Sequence, residues 1–329
     1  MRPRLGGRLK FMDAGDHGHA PVLFEEVLGL LDPQPGEIFL DCTIGRGGHA
    51  AGIAPRLGPR GLLVGLDVDP KNLAYARDRL AVTGTPCRFF QANFAELPEV
   101  LTAAGLGGVD MILADLGVST NQLLTPDYGL SFTLDGPLDM RLDPRLRRTA
   151  ADLVNTLAEQ DLADLLFRHA QERHSRRIAR AIVTARRRQR ITTTFELAQL
   201  VRRAGGPVRH GPIDPATRTF QALRMAVNGE LDNLRALLAA MVDRIKPGGR
   251  AAVISFHSGE DRLVKQALRQ WQSQGRCVVR TPRPVTPSEA ELQRNPRCRS
   301  AKLRVARFGR PTEVTREAGW EAGEREPEN

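Results

Sequence analysis

The chain has 329 residues, of which 41% are hydrophobic, so it can bury the core of one large domain or two smaller ones. It has no run of about 20 apolar residues and no apolar segment after its basic N-terminus, so we predict neither a membrane span nor a secretory signal. A formal net charge of +10 favours a polyanionic partner, because Lys and Arg displace counterions condensed on phosphates.

Strands and helices alternate in the first part of the chain. The apolar stretches predict four strands, at 37–43, 61–67, 86–91 and 109–115. Helices are expected from about Gly48 and over 70–80, where Pro70 suits a first helical turn. This alternation implies a parallel sheet that is covered by helices on both faces.

A different pattern begins after the fourth strand. Residues 119–142 predict turns, and residues 152–245 are almost purely helical in their apolar spacing. Further elements follow as a strand at 250–256, a helix at 260–271, and strands at 277–280 and 302–308. We therefore predict an α/β domain over 21–124 and 225–310 with an inserted all-α domain over 125–224, an N-terminal extension over 1–20 and a disordered acidic tail over 311–329.

Three features at predicted strand ends indicate a nucleotide-like ligand. The first strand runs into a turn with Gly45, Gly47 and Gly48, whose missing Cβ atoms let the backbone approach a ligand closely. Asp67 ends the next strand, 22 residues after Gly45, where a carboxylate can bind ribose hydroxyls. Asp115 ends the fourth strand, at the sheet edge where such ligands bind. An ordinary tight turn, a helix cap and a solvated strand end are the structural alternatives.

Arginines are concentrated in two segments, 168–190 and 276–310, each with a local charge of +8. Arginine forks suit phosphate geometry, although a GC-rich genome produces the same bias in composition. In the first segment we predict an RNA-binding surface, with a solvated helical face as the alternative. Its members are Arg176, Arg177, Arg180, Arg186, Arg187 and Arg188.

Nine ordered blocks of sequence carry a specific resemblance. They are HAPVLFEEV at 19–27, DCTIGRGGH at 41–49, QANF at 91–94, DLGVSTNQL at 115–123, LDMR at 138–141, PATRTFQALR at 215–224, VN at 227–228, FHS at 256–258 and RSAKLR at 299–304. In these blocks the chain resembles the RsmH (MraW) family of bacterial ribosomal RNA methyltransferases. The resemblance implies a Rossmann-like S-adenosylmethionine methyltransferase sheet with an inserted helical domain.

The resemblance also implies a reaction and a set of contacts. The family transfers a methyl group from S-adenosylmethionine to N4 of one cytidine in 16S ribosomal RNA, near the decoding centre and within the small subunit. Besides Gly45, the cofactor contacts that it implies are Gly47, Gly48, His49, Asp67, Phe94, Asp115 and Gln122. A cytoplasmic location is expected, and four scattered cysteines fit that reducing compartment. No metal ion is expected.

Asp115 is also our candidate catalytic residue. The cytosine amine is a poor nucleophile because its lone pair delocalises into the ring, and an acceptor that grips its N–H would localise that pair. Many amino-methyltransferases place two prolines and an aromatic ring after this acid, whereas Leu116, Gly117 and Val118 follow it here. Other groups must therefore hold the base, and the candidates are Ser255, His257, Ser258, Asp139 and Arg141.

The chain departs from the family pattern at Gly259, at Asp214 and over 169–172, which puts local RNA contacts in doubt. Three other functions share some of its features. A nicotinamide dehydrogenase would use the same glycine turn and Asp67 but has no need of an arginine-rich insert. A DNA amino-methyltransferase should show the proline–aromatic motif. A non-catalytic assembly factor would bind ribosomal RNA without needing Asp115.

Overall fold

A computed structural model describes residues 21–205 and 214–309, so the predicted N-terminal extension and acidic tail lie outside the described residues. One sheet of seven strands has the order β3-β2-β1-β4-β5-β7-β6. Its strands are β1 (Ile38–Asp41), β2 (Leu62–Asp67), β3 (Cys87–Gln91), β4 (Val109–Asp115), β5 (Ile245–Ser255), β6 (Cys277–Val279) and β7 (Lys302–Phe308). The first five are parallel, and β7 runs antiparallel to both β5 and β6.

The helices occupy both faces of the sheet and the insertion. They are α1 (Phe24–Leu31), α2 (Gly48–Leu57), α3 (Pro70–Leu80), α4 (Leu97–Ala103), α5 (Thr120–Leu124), α6 (Ala150–Thr156), α7 (Glu159–Ala170), α8 (Ser175–Arg186), α9 (Thr194–Gly205), α10 (Ala216–Asn228), α11 (Glu230–Met241), α12 (Ser258–Ser273) and α13 (Glu289–Arg294). Helices α1 to α3 pack against one face, and α4, α11 and α12 against the other. No helix among the described residues is both long and apolar enough to span a membrane.

The predicted elements of the α/β part are confirmed. The third helix begins at Pro70 because Asp69 caps it, accepting a hydrogen bond from the Lys71 N–H at 2.9 Å. Strand β5 begins five residues earlier than predicted, because a bulged stretch with two glycines still pairs with β4. The predicted turn region 119–142 contains one short helix, α5, which is closed by a capping box between Ser119 and Gln122.

A separate hydrophobic core holds the insertion together. Helices α6 to α10 contribute Leu162, Ile178, Leu197 and Phe220 to it, and none of these side chains is more than 3% exposed. The chain returns to the sheet at Gly229, whose φ of +60° ends α10 and starts α11. The predicted fold class, a Rossmann-like sheet with an inserted helical region, is confirmed. The domain boundaries stay a prediction, since residue 224 falls inside α10.

Candidate active site

A cavity of about 770 Å³ opens along the carboxyl ends of the parallel strands. One wall comes from the sheet and the turns after β1, β2, β3 and β4, and another from the start of the insertion and from α10 and α11. All the predicted cofactor residues except Gly47 line this cavity. The structure therefore places in one cavity residues that lie up to 77 positions apart in sequence, from Gly45 to Gln122.

The cavity residues follow the strand order across the sheet. Phe94 comes after edge strand β3, Asp67 ends β2, Asp41 ends β1 and Asp115 ends β4. Neighbouring strands in a sheet are about 4.8 Å apart, so these four positions span roughly 15 Å. An aromatic ring and three carboxylates, of which that of Asp41 is buried, thus form a row long enough for an extended nucleoside ligand.

The glycine turn shapes the middle of this row. Gly45 has a φ of +51°, and a Cβ built there would meet only the Thr43 carbonyl, at 3.9 Å, so the space beside it belongs to the cavity. Gly47 has a φ of +74° at the N-terminus of α2, and its Cα faces Leu80 and Ala76 of α3. Gly45 therefore borders the ligand space, whereas Gly47 lets the two helices pack closely.

Asp67 organises the turn as well as facing the cavity. Its carboxylate accepts hydrogen bonds from the Gly45 N–H at 2.9 Å, the Asp69 N–H at 2.8 Å and the Asn72 side chain at 3.2 Å. Burial raises the pKa of Asp67 to about 6, although these donors oppose the shift. The predicted ribose role and the structural role are compatible at Oδ1, which accepts only the Asp69 N–H and can accept a further hydrogen bond, whereas Oδ2 already accepts from Gly45 and Asn72.

Gln122 is a buried amide that ties the second turn to α3. Its Nε2 donates to the Asp69 carboxylate at 2.9 Å, while its Oε1 accepts from the Ser119 N–H and hydroxyl. The Tyr128 hydroxyl donates to the same oxygen of Asp69. These contacts fix the segment after Asp115 against the end of the cavity that contains Asp67 and Asp69.

Asp41, His49 and Asp115 meet at the Asp115 end of the row. His49 Nε2 lies 3.7 Å from an Asp115 oxygen, and the Phe24 ring stacks on the imidazole at 6.0 Å. Asp41 lies beneath them, and burial raises its pKa to about 7 even though His49 and the Thr43 N–H pull the pKa down. Both ring nitrogens of His49 and Asp115 Oδ1 are buried without a hydrogen-bond partner among the described residues.

A second polar cluster borders the far end of the cavity. Arg224 donates to both oxygens of Glu230, at 2.7 and 2.9 Å, and both residues line the cavity. Glu260 is 3% exposed and lies 3.2 Å from His257 Nε2. Ligand atoms of Glu230, His257 and Glu260 lie within 4.8 Å of one another, close enough for a metal ion. A cation there would have to displace Arg224, and the expectation of no metal stays a prediction.

The other sequence-predicted base-holding groups lie outside the cavity lining. Ser255 is 2% exposed and points to the Lys302 carbonyl on β7. Asp139 and Arg141 form a two-pronged ion pair with both N–O distances at 2.7 Å. Asp139 and Arg141 therefore pair with each other and do not line the cavity with Asp115. Ser258 is exposed at the start of α12.

The three departures from the family pattern have local structural partners. Gly259 lies in the first turn of α12, where a Cβ would stand 3.1 Å from His257 Nδ1. Asp214 accepts hydrogen bonds from Arg202 Nε and Nη2, and from the Ala216 N–H at the start of α10 at 2.8 Å. Residues 169–172 end α7, with Gln171 in the left-handed conformation at a φ of +52°.

The predicted arginine surface divides into two kinds of side chain. Arg176, Arg177, Arg187 and Arg188 are exposed, and within the described part of the chain none of them pairs with a carboxylate. Arg180 pairs loosely with Glu159 at 3.3 Å. Arg186 instead donates to two carbonyls at the end of α6. None of the six predicted residues lines the cavity.

The cavity also contains residues that were not predicted as site residues, among them Asp41, Arg224, Asn233 and Phe256. Asp41 carries the local signal that was available, an acid at the end of the strand before the glycine turn. Arg224 and Asn233 lie in amphipathic helices where any one of several polar residues could face the cavity. Phe256 follows a buried strand, so its sequence context is that of a core residue.

Comparison with known proteins agrees with this geometry. Residues 16–309 match the MraW methylase family. Ribosomal RNA small subunit methyltransferase H of Sorangium cellulosum is 49% identical over 292 residues, covering 88% of this chain and 90% of the relative. The protein of the same name from Syntrophobacter fumaroxidans is 47% identical over 303 residues, covering 87% and 95%.

A solved structure, TrmN from Thermus thermophilus, aligns with a TM-score of 0.43 at 17% identity over 87% of this chain and 48% of that chain. This structural likeness adds nothing to the assignment, which rests on the sequence relatives. The match spans nearly all the described residues, both the strand-end row and the helical insertion. The chain therefore belongs to the MraW methylase family.

Proposed function

We propose that this protein transfers the methyl group of S-adenosylmethionine to N4 of one cytidine in 16S ribosomal RNA, near the decoding centre. The substrate in this proposal is the RNA within the small ribosomal subunit, which places the reaction in the cytoplasm. Two small-subunit ribosomal RNA methyltransferases at 47–49% identity support the RNA class. The row of residues at the sheet edge supports the cofactor.

The chemistry of the row suits S-adenosylmethionine. The Phe94 ring offers a flat apolar surface for adenine, and Asp67 can accept hydrogen bonds from ribose hydroxyls. Asp41 and Asp115 are carboxylates near the glycine turn, where a cationic methionine portion would find opposite charge. The unpartnered His49 nitrogens and Asp115 Oδ1 leave hydrogen-bonding capacity for a bound ligand.

In this proposal the cofactor supplies a methyl group already activated on a sulfonium, so the protein's task is placement and control of one proton. The amine nitrogen must approach the methyl carbon in line, at roughly 3–3.5 Å. Asp115 would accept a hydrogen bond from the amine and then its proton, as the bond from nitrogen to methyl forms and the methyl–sulfur bond of the donor breaks to release the thioether. His49, 3.7 Å from Asp115, lies beside that carboxylate and, stacked on Phe24, shields it on one side from water.

The insertion completes the substrate side of the cavity. Arg224 and Asn228 of α10 line its wall, and exposed Arg297 lies at its rim. In the proposal, exposed arginines of α8 bind RNA phosphates while a single-stranded base enters the cavity, since unstacked bases are the usual targets of sequence-specific recognition. The contact to phosphate positions the RNA, and the cavity selects the base.

The observation that carries the proposal is the row Phe94, Asp67, Asp41 and Asp115 in one cavity with the insertion as its far wall. The test is incubation of small subunits that lack the modification with purified protein and methyl-labelled S-adenosylmethionine, followed by mapping of the labelled nucleotide. We expect label on one cytidine of 16S RNA, at N4. Labelling of another base, or binding of NAD instead of S-adenosylmethionine, would contradict the proposal.

A further inference from the structure

We propose that Phe256 is the surface on which the target base stacks while its amine faces Asp115. This inference rests on the proposed function and names the substrate-binding ring of the same site. A base that leaves its RNA stack needs a flat apolar partner, which aromatic side chains supply in most single-strand binding sites. The segment directly after Asp115 contains no ring, so another element has to provide it.

Strand order places Phe256 at the next position along the row. Strand β5 pairs with β4 in register, with Asp115 opposite Ile254, so Phe256 lies two residues beyond that pair. Side chains alternate along a strand, so Ile254 and Phe256 share a face, and both pack in the core covered by α1 to α3. One strand spacing of about 4.8 Å separates the ends of β4 and β5, so a base that stacks on Phe256 lies next to Asp115.

The Gly117 backbone lies close to the ring, beside Asp115. Its φ is +103°, and a Cβ built there would stand 3.6 Å from Phe256 Cδ2. The ring edge therefore lies against the backbone two residues after Asp115. Phe256 is half-buried and lines the cavity, so one part of the ring packs in the core and another part faces the ligand space.

The backbone that carries Phe256 is held firmly. Glu260 accepts hydrogen bonds from the Phe256 N–H at 2.8 Å and from the His257 N–H at 3.3 Å. His257 Nδ1 accepts in return from the Glu260 N–H, which closes a capping box at the start of α12. Burial alone would raise the pKa of Glu260, but His257, then the Phe256 N–H and Arg224, hold the pKa of that carboxyl below its usual range. The buried polar cluster thus fixes the position of the ring.

The two cavity rings serve different ends of the row. Phe94 follows edge strand β3 and packs against the core under α4, α11 and α12. Phe256 follows β5, on the other side of Asp115, and packs in the opposite core. A ligand that runs from Phe94 past Asp67 to Asp115 does not reach β5, which leaves Phe256 for the base that receives the methyl group.

The test compares Phe256→Leu with Phe256→Tyr, because leucine keeps apolar volume and loses the ring, whereas tyrosine keeps the ring. Methyl transfer to undermodified small subunits is measured at saturating S-adenosylmethionine, and cofactor affinity is measured by calorimetry. For Phe256→Leu we expect kcat/KM for the subunit to fall about 5- to 150-fold, the range that loss of one base–aromatic stack produces. Cofactor affinity should stay within about twofold, which also shows that the site is folded.

Tyrosine should restore transfer to within about fivefold of the wild type if the ring is what matters. Unchanged transfer by Phe256→Leu would overturn the inference, and so would a parallel loss of cofactor binding or an equal defect in both variants. These outcomes all require an active wild-type protein. If the wild type methylated no cytidine of the subunit, the proposed function itself would fail and this inference with it.

Discussion

The carboxyl ends of the strands, which form the sheet edge that borders the cavity, and the surface of α8 are both rich in charged residues. They differ in whether those residues have partners within the protein. At the sheet edge, Asp41 is fully buried in a cluster with His49 and Asp115, and several of the polar atoms have no partner among the described residues. On α8, Arg176 and Arg177 are exposed to solvent, whereas Arg186 at the end of the same helix donates hydrogen bonds to two backbone carbonyls.

The comparison shows that clustering in space and clustering in sequence are different signals. The acids of the sheet edge are separated by 26 and 48 residues along the chain, yet parallel strands bring their ends together. The arginines of 168–190 are neighbours in sequence, yet helix geometry sends them to different surroundings. A buried unpartnered group indicates a ligand more specifically than an exposed charge does.

The largest effect is expected at Asp115. Asp115→Asn keeps the shape of the side chain but removes the negative charge that grips the amine, so we expect methyl transfer to fall about 100- to 10,000-fold. The measurement is a single-turnover rate at saturating cofactor. Asp78→Asn, an exposed position on α3, is the matched control and should leave the rate unchanged. A weaker affinity for S-adenosylmethionine with a normal rate would assign Asp115 to cofactor binding instead.

Charge reversal on α8 should have the next largest effect. In the double variant Arg176→Glu and Arg177→Glu, the logarithm of the RNA-binding constant should depend less steeply on the logarithm of salt, by about one to two units of slope. The matched control reverses the same number of charges at Arg262 and Arg269, which are exposed on α12. Equal flattening in both variants would mean that net charge, and not the α8 surface, governs binding.

A smaller effect is expected from pH at the centre of the sheet edge. The pKa of Asp41 is about 7 in the cofactor-free protein, so below that pH the carboxyl is largely protonated. A cationic ligand favours the ionised form, and binding at lower pH must therefore release a proton. We expect the Kd for S-adenosylmethionine to fall about tenfold from pH 6 to pH 8, levelling above the pKa.

Asp41→Asn supplies the control for this pH dependence. The amide cannot titrate, so the variant should bind more weakly at pH 8 and lose most of the slope between pH 6 and pH 8. The Asp67 carboxyl, with a pKa of about 6, adds a shallower dependence at the lower end of the range. A wild-type Kd that is flat across this range would show that Asp41 does not meet the charged part of the cofactor.

The α/β part could be predicted closely from the sequence because its signals are local. An apolar strand, a glycine turn and an acid at the next strand end lie within 30 residues of each other. Contacts between distant segments could not be predicted. The alignment of Phe256 with Gly117 depends on the pairing of β4 with β5 across an insertion of about 100 residues.

Roles within a helix were also beyond the sequence. From the sequence alone, all six arginines between 176 and 188 were equal candidates for contacts to RNA phosphates. Some of them are exposed and others contact the protein itself, and this difference depends on where α8 packs against α6. The apolar spacing of α8 alone does not specify that packing. For the same reason the sequence did not identify Arg224 and Asn233 as cavity residues. Which face of α10 and α11 lines the cavity depends on the angle between the insertion and the sheet.

The smallest effect on function, and a direct check of this separation, is expected at Arg186. Its guanidinium donates to the Val154 and Leu157 carbonyls, both at 2.7 Å, at the C-terminal end of α6. Arg186→Ala would leave two carbonyls without their donor and remove a favourable charge from that helix end, so the free energy of unfolding should fall by about 1–3 kcal/mol. Arg188→Ala, at an exposed neighbouring position, should change it by no more than about 0.5 kcal/mol. Both values come from denaturant unfolding. If Arg188→Ala destabilised the protein as much as Arg186→Ala, or if Arg186→Ala weakened RNA binding without loss of stability, the assignment of Arg186 to the fold would be wrong.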